Sequence, residues 1–510
     1  MRKIGIDEIA RHASADDLWV VVDGAVYDLT EFAPRHPGGT AVLQQYAGRD
    51  ASRPYGAVHA PSLIGASLEA SQHLGVVDED SVTPQWRSAT VSADVDEGPG
   101  RQGRGGAAAS QKPPLDSVIN LQDFEDIARA VLPPQAWAYI STGSNDNVSR
   151  DANAAFLRRI WLRPAVLLRD VSTVRTAATL FGGSVSLHMP VYVAPTGATR
   201  TGGPEGELAI ARGAAAAGII PVISTVASFP YEEILAALPD GAPAFFQLYV
   251  DRDRSRTTAL LRSLLHSHRG RAAIRAVFVT VDVPVVSKRE ADERERARAS
   301  RACGEPVSPG GIAKQAGSFV DSAFVWEDLR WLRDVIDEAT ATPAADNTSH
   351  LPIIVKGIQR ASDALIALAM GCQGIVLSNH GGRAADGAPP AILTLLELHR
   401  CCPEIFGRMD IFVDGGFRRG SDVVKAICLG ASAVGFGRPF VYSVGYGYAG
   451  VRHAAAIIQD EVRTAMQLCG MSDLMRDAHP GFVNTAEIDH IVPIHNDHPY
   501  AKKPSIPSRL

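Results

Sequence analysis

Cysteine is scarce in this chain: six among 510 residues, none before Cys303, the others being Cys372, Cys401, Cys402, Cys428 and Cys469. No two have the C-x-x-C spacing, which excludes a disulfide framework or a structural zinc site and fits a reducing compartment. Long apolar runs are missing too. The main uncharged apolar stretch, 213–231, is broken by Gly218, Pro221 and Pro230, so it reads as a helix end followed by a buried strand rather than a membrane span. The N-terminal MRKIGIDEIARHASADD has no apolar signal core. No charge sign dominates: 50 Lys+Arg stand against 56 Asp+Glu, a formal charge of −6. A dedicated nucleic-acid binder would carry a basic face, so that class is excluded and a soluble chain is expected.

Hydrophobic residues supply 46% and charged residues 21%, enough for a large core. Residues 88–114 (SATVSADVDEGPGRQGRGGAAASQKPP) have almost no large apolar side chains and cannot offset their ordering entropy. They predict a flexible linker and hence two domains: a small unit at 1–84, the linker at 85–114, a large unit at 115–485, and an extended tail at 486–510.

In the large unit, eight apolar runs recur: VYVAP (191–195), IPVIST (220–225), AFFQLYV (244–250), AVFVTVDVP (276–284), PIIVKG (352–357), GIVLSN (374–379), IFVDGG (411–416) and AVGFGRP (433–439). Continuous Val/Ile-rich runs mark parallel strands buried on both faces. Spacers such as GELAIARGAAAAG and SDVVKAICLGA have helical patterns, so the expected class is α/β, a (β/α)8 barrel, with a doubly wound open sheet as the alternative. The spacer between Pro284 and Pro352 is long and contains KREADERERARASR, a solvated helix face in an insertion where active-site lids occur.

The small unit opens with two strands joined by Asp23-Gly24 (DLWVVVDGAVYDLTEF, 17–32). His36 begins a His-Pro-Gly-Gly turn, and His59 follows a helical stretch, TAVLQQYAGRDAS. Two neutral imidazoles on opposed helices can hold a haem iron from both sides, leaving no open site for oxygen and favouring electron transfer. Residues 5 to about 80 resemble the cytochrome b5 family, which implies a small α+β domain with His36 and His59 as axial ligands of haem b.

At a barrel's C-terminal rim, chemistry sits just past the strand ends. Those positions hold Tyr249, Asp282, Lys356, His380 with Arg383, and Arg418 with Gly437-Arg438. In SNHGGR (378–383), His380 can serve as a base and Arg383 offers a planar fork for a carboxylate. VDGGFRRG (413–420) and GFGRP (435–439) follow the seventh and eighth strands, where barrels commonly hold a phosphate. The set calls for a phosphate-bearing cofactor and a small carboxylic acid.

From 115 to about 470 the chain resembles the FMN-dependent α-hydroxy-acid oxidase/dehydrogenase family, through AWAYISTGSND, QLYV, TVDVP, IVKG, SNHGGR and VDGGFRRG. The order haem domain, hinge, flavin barrel resembles its cytochrome-linked members. The resemblance implies His380 as base, Asp282 orienting it, Arg383 and Tyr139 binding the carboxylate with help from Arg289, and Tyr249 bonding the substrate hydroxyl. It implies Lys356 at the flavin, with Ser224, Gln247 and Thr280 as further flavin contacts. Asp414, Gly416, Arg418, Gly437 and Arg438 match the remaining cofactor cradle. The implied reaction oxidises an L-2-hydroxy acid to the 2-oxo acid, with electrons passing from FMN to haem and on to a cytochrome-type acceptor. The alternatives are an oxidase that gives its electrons to O2, with the haem domain accessory, and a non-enzymatic electron carrier. A homotetramer is the family expectation.

Two positions depart from the family. Gly197 and Val226 stand where lactate-type members carry alanine and leucine, and the lost volume predicts a wider side-chain pocket. Ala384-Ala385-Asp386 replaces the usual Gln-Leu-Asp, with Asp386 expected to keep a supporting role. The C-terminal Ser508-Arg509-Leu510 resembles a peroxisomal address, with the cytoplasm as alternative. His490, His495 and His498 lie in polar sequence and are expected to be solvated.

Overall fold

In the computed structural model the described residues are 1–83, 86, 112–302, 311–317, 319–341 and 350–495. The expected linker therefore falls almost wholly outside them, as do Cys303, His498 and the terminal Ser508-Arg509-Leu510.

The N-terminal unit is a small mixed sheet. Its strands are β1 (Lys3–Ile4), β2 (Ala13–Ser14), β3 (Asp17–Val22), β4 (Ala25–Asp28), β5 (Arg49–Asp50) and β6 (His73–Val77). They run in the order β1-β6-β4-β3-β2, with β5 pairing β3. Asp23 (φ 50°) and Gly24 (φ 78°) make the hairpin turn that joins β3 to β4, both in the left-handed region such two-residue turns require. The period of two along β3 then divides the core. Leu18, Val20 and Val22 face one apolar cluster with Leu29, while Val21 faces another with Ile4, Ile9 and Val26. The stretch after the His-Pro-Gly-Gly turn is not one helix. It splits into Thr40–Gln44 and Ser52–Val58 around β5, because Gly48 turns the chain at φ +71°. The two histidines accordingly lie at the ends of short helical segments, each in a C-cap position, rather than within opposed helices.

Three helices, Leu121–Val131, Pro134–Ser141 and Val148–Arg158, lead into the large unit. Next come the short β7 (Trp161–Leu162) and a hairpin of β8 (Ala178–Leu180) and β9 (Val185–Leu187). Eight parallel strands then close a barrel: β10 (Val191–Val193), β11 (Ile220–Ser224), β12 (Ala244–Leu248), β13 (Ile274–Thr280), β14 (Ile353–Ile358), β15 (Gly374–Leu377), β16 (Asp410–Asp414) and β17 (Ala433–Phe436). Each lies on one of the eight apolar runs, and β17 pairs back to β10, which excludes the open sheet. Tyr192, Phe245, Phe278 and Phe412 interlock at edge-to-face and offset angles to fill the lumen. Leu180, Val185 and Leu187 of the hairpin join the same cluster. The barrel is thus a packed core whose functional surface is its rim.

The expected extended tail is different in its described part. Val483–Asn484 pairs with β7, and Ile488 and Val492 are buried against the barrel. Burial of those two apolar side chains, with Arg400 donating to the Val492 carbonyl, holds residues 486–495 down. His490 and His495 are exposed, as expected. Among the described residues no helix is long and apolar enough to cross a membrane, and the five described cysteines are free thiols.

Candidate active site and haem pocket

The rim site is organised by one short segment after β15. His380 adopts φ 60°, a left-handed conformation that costs a non-glycine residue energy and is tolerated where surroundings over-determine it. Here the surroundings do. The Ser378 hydroxyl accepts from the His380 amide at 3.0 Å, and the Asn379 carbonyl accepts from the Gly382 amide at 3.0 Å. Gly382 (φ +78°) must be glycine, since a Cβ there would lie 2.3 Å from the Arg150 nitrogen of the helix Val148–Arg158. The turn thereby aims the imidazole into the cavity.

His380 Nδ1 and the Asp282 carboxylate are 2.9 Å apart. A carboxylate only accepts, so Nδ1 carries the proton and Nε2 is left as the base facing the cavity, 3.5 Å from the Tyr249 hydroxyl. The Asp282 side chain is fully buried. Desolvation pushes its pKa up, but His380 and Lys356 outweigh this and hold it below the usual carboxylate range. It therefore stays anionic and can stabilise an imidazolium. Gly357 (φ +115°) makes room for it, because a Cβ at that position would lie 2.5 Å from Asp282 Cβ. Gly357→Ala is accordingly expected to displace Asp282 and lower kcat about a hundredfold with flavin retained. Steady-state turnover with ferricyanide, alongside the flavin absorbance, checks this.

Lys356, also buried, sits 3.1 Å from Ser378 Oγ and 3.6 Å from the Asp414 carboxylate. Burial works against its charge, yet Asp414 and Asp282 raise its pKa, so the ammonium persists. Ser224, Gln247 and Thr280 form a chain across the ends of β11, β12 and β13, with links of 3.1 Å each. These side chains line one cavity together with Gly416, Arg418, Gly437 and Arg438. Among the described residues Gly437 is uncrowded, a Cβ there meeting Ala194 at 3.9 Å.

The same cavity gathers a set of guanidiniums. Burial first, then Arg383 and Arg438, lowers the pKa of Arg289 to about 8. Burial, then Arg383 and further arginines, lowers Arg438 to about 9. Such a concentration of positive charge calls for anions, and a cofactor phosphate and a substrate carboxylate supply them. Arg383 lies over the Tyr139 ring at 5.0 Å, and Tyr139 donates to the Gly197 carbonyl at 3.3 Å. Two of the expected ligand-binding arginines carry a second load. Arg289 donates to the carbonyls of Tyr139, Thr142 and Gly143, and Arg438 to those of Ile140, Gly381 and Thr142. They brace the end of the helix Pro134–Ser141 against the barrel.

The pocket-wall expectation needs correction. Gly197 and Val226 do line the cavity, but a Cβ on Gly197 would lie 2.4 Å from Val226 Cγ2. Valine occupies part of the volume that glycine vacates, so the two losses do not add. The insertion after β13 supplies a roof through Val283, Val286, Ala313, Gly317 and Val320. Asp386 accepts from the amides of Asp146 (3.0 Å) and Ser149 (2.9 Å), fixing the start of the helix Val148–Arg158. Sequence reasoning overlooked Ser378, which bridges Lys356, Asp414 and the His380 amide although it stands in the quoted motif. It also overlooked Asn153, paired side chain to side chain with Asn379, for which no sequence signal exists.

In the small unit the His36 and His59 rings are 6.1 Å apart, centre to centre. A metal–imidazole bond of about 2 Å on each side, plus about 1 Å to each ring centre, calls for roughly 6 Å. Burial lowers both pKa values to about 4, which keeps the imidazoles neutral and able to ligate; at His36 a backbone hydrogen bond at Gly39 opposes it, and at His59 the facing His36 ring and the Arg200 guanidinium add to it by disfavouring a second charge. His59 Nδ1 is buried with no hydrogen-bond partner among the described residues. Around the rings lies a cavity of about 1090 Å³, walled by Val20, Leu29, Phe32, Leu43, Ile64 and Leu68 on the small-domain side. Gly38 is required beside it, since a Cβ would lie 2.6 Å from His36 Cε1. The residues fit a bis-histidine haem.

A barrel rim with a half-buried histidine base among clustered arginines, joined to a domain with two facing histidines, defines a flavin- and haem-dependent oxidoreductase. Residues 128–484 match the FMN-dependent dehydrogenase family and residues 6–78 the cytochrome b5-like heme/steroid binding domain. The chain is 36% identical over 500 residues to an L-lactate dehydrogenase (cytochrome) of Wickerhamomyces anomalus, covering 96% of this chain and 82% of that one. With the corresponding Saccharomyces cerevisiae protein it is 36% identical over 491 residues, 93% of this chain and 78% of that one. The solved flavin-binding domain of baker's yeast flavocytochrome b2 superposes with a TM-score of 0.64 at 37% identity, covering 74% of this chain and 89% of that one. The chain belongs to the FMN-dependent dehydrogenase family and carries a cytochrome b5-like domain ahead of the barrel. FMN and haem are its cofactors.

Proposed function

We propose that the protein oxidises an L-2-hydroxy acid to the 2-oxo acid and delivers the electrons through its haem domain to a cytochrome-type acceptor. The observation that carries this is the His380–Asp282 pair opening, with Tyr249, onto the arginine-rich cavity. Arg383 and Tyr139 hold the substrate carboxylate, and the Tyr249 hydroxyl orients the carbinol oxygen. His380 Nε2 takes up the proton released on oxidation, and Asp282 stabilises the imidazolium as in other His–Asp systems. Bound FMN supplies a two-electron acceptor and haem a one-electron outlet, so one hydroxy acid reduces two equivalents of acceptor.

The relatives named above act on lactate. Gly197 beside Val226 supports a pocket of different shape, suited to a side chain bulkier than methyl, although the gain in volume is small because Val226 leans into it. A peroxisomal destination and a four-subunit assembly belong to the same proposal, resting on Ser508-Arg509-Leu510 and on the family resemblance. The test is anaerobic mixing of the holoenzyme with L-lactate, L-mandelate and a branched L-2-hydroxy acid. Flavin bleaching followed by reduced-haem bands is expected, fastest with the bulkier acids. Bleaching with the haem left oxidised favours an O2-using oxidase instead. Lactate as the best substrate overturns the proposed preference.

A further inference from the structure

The two loops that follow β10 and β11 each face two ways. Toward the substrate they present Gly197 and Val226. A few residues further on, they grip the small domain beside a haem ligand. The Arg200 guanidinium donates to the carbonyl of His59, and the Ser228 carbonyl accepts from the Ala60 amide at 2.8 Å. Ala60 is fully buried and packs within the barrel's own apolar cluster. The loops are also tied together. The Arg200 amide donates to Ser228 Oγ at 3.2 Å, and the guanidinium lies 5.7 Å over the Phe229 ring. Buried Glu207 accepts from the amides of both Thr199 (3.2 Å) and Ser228 (2.9 Å). A second anchor is separate, Arg296 of the insertion helix donating to Gln45 at 2.7 Å.

We propose that Arg200 is a positioning residue for electron transfer, clamping the His59–Ala60 turn onto the loops that wall the substrate pocket. The proposal rests on the electron route given above. Transfer between two cofactors falls steeply with their separation, so a clamp on the ligand's own backbone governs the outflow step. It leaves the chemistry at His380 untouched, because Arg200 makes no contact there. Its fixed positive charge beside the ligand also favours the reduced haem.

The test uses holoenzyme carrying Arg200→Met, which keeps chain length and loses charge and donors, with Arg200→Lys as the conservative variant. The substrate is whichever of L-lactate or L-mandelate bleaches the wild-type flavin faster. In Arg200→Met, flavin bleaching should stay near wild type, while haem reduction slows about tenfold, as expected for losing a charge-assisted hydrogen bond. The haem midpoint potential should fall, and hydrogen exchange at the Ala60 amide should quicken about tenfold. Arg200→Lys should recover most of these losses. Wild-type haem reduction in Arg200→Met overturns the proposal, and so does a parallel loss of both steps with Ala60 exchange unchanged. Failure of wild-type haem to reduce after its flavin bleaches would instead defeat the electron route itself.

Discussion

Replacing His380 with Asn is expected to lower the rate of flavin reduction about 10⁴-fold while the protein still binds FMN. The size follows from the geometry. Nε2 is placed against the Tyr249 hydroxyl, its Nδ1 partner is a buried anion, and among the described residues no second imidazole lines the cavity. Asn can keep the bond to Asp282 and the backbone turn, so the loss reports proton transfer rather than folding. Asp282→Asn should cost less, about 10²–10³-fold, because the base survives without its stabilising charge. Stopped-flow flavin absorbance measures both. A His380→Asn enzyme that bleaches its flavin at the wild-type rate would remove His380 from the chemistry.

The other large effect is expected in the small domain. His59→Ala should abolish stable haem binding and lower reduction of a cytochrome-type acceptor at least about a hundredfold. Flavin bleaching by substrate should continue, since the base and the arginines lie on a different domain. Losing a ligand that binds only the folded state also removes its stabilisation, so the small domain should melt several degrees lower. The haem absorbance, reduction of a cytochrome acceptor, flavin bleaching and a thermal melt separate the four effects. Unchanged haem content would exclude His59 as an axial ligand.

Much of this was legible from residues alone. The eight barrel strands lie on eight apolar runs because strands buried on both faces need uninterrupted hydrophobicity, which is a local property of sequence. The Asp23-Gly24 turn and the SNHGGR motif are equally local. Segment boundaries were less so: the break at Gly48 and the burial of Ile488 and Val492 depend on what packs opposite them. Pocket volume was also hidden, because Gly197 and Val226 are 29 residues apart in the chain and each alters the space left by the other.

By itself, then, the sequence determined the two apolar-rich units, the barrel strands and a rim with a base, arginines and a phosphate cradle, since each depends on periodicity or on motifs a few residues long, while the cofactors' identity came through the family resemblance those motifs carry. Only the tertiary structure decided that Arg289 and Arg438 are spent partly on bracing carbonyls, that Ser378 joins Lys356 to the His380 turn, and that Arg200 meets His59. Those contacts link segments tens to hundreds of residues apart, and a hydrogen bond needs both partners within about 3 Å. Such proximity comes from closing the barrel and seating the small domain upon it, not from any pattern along the chain.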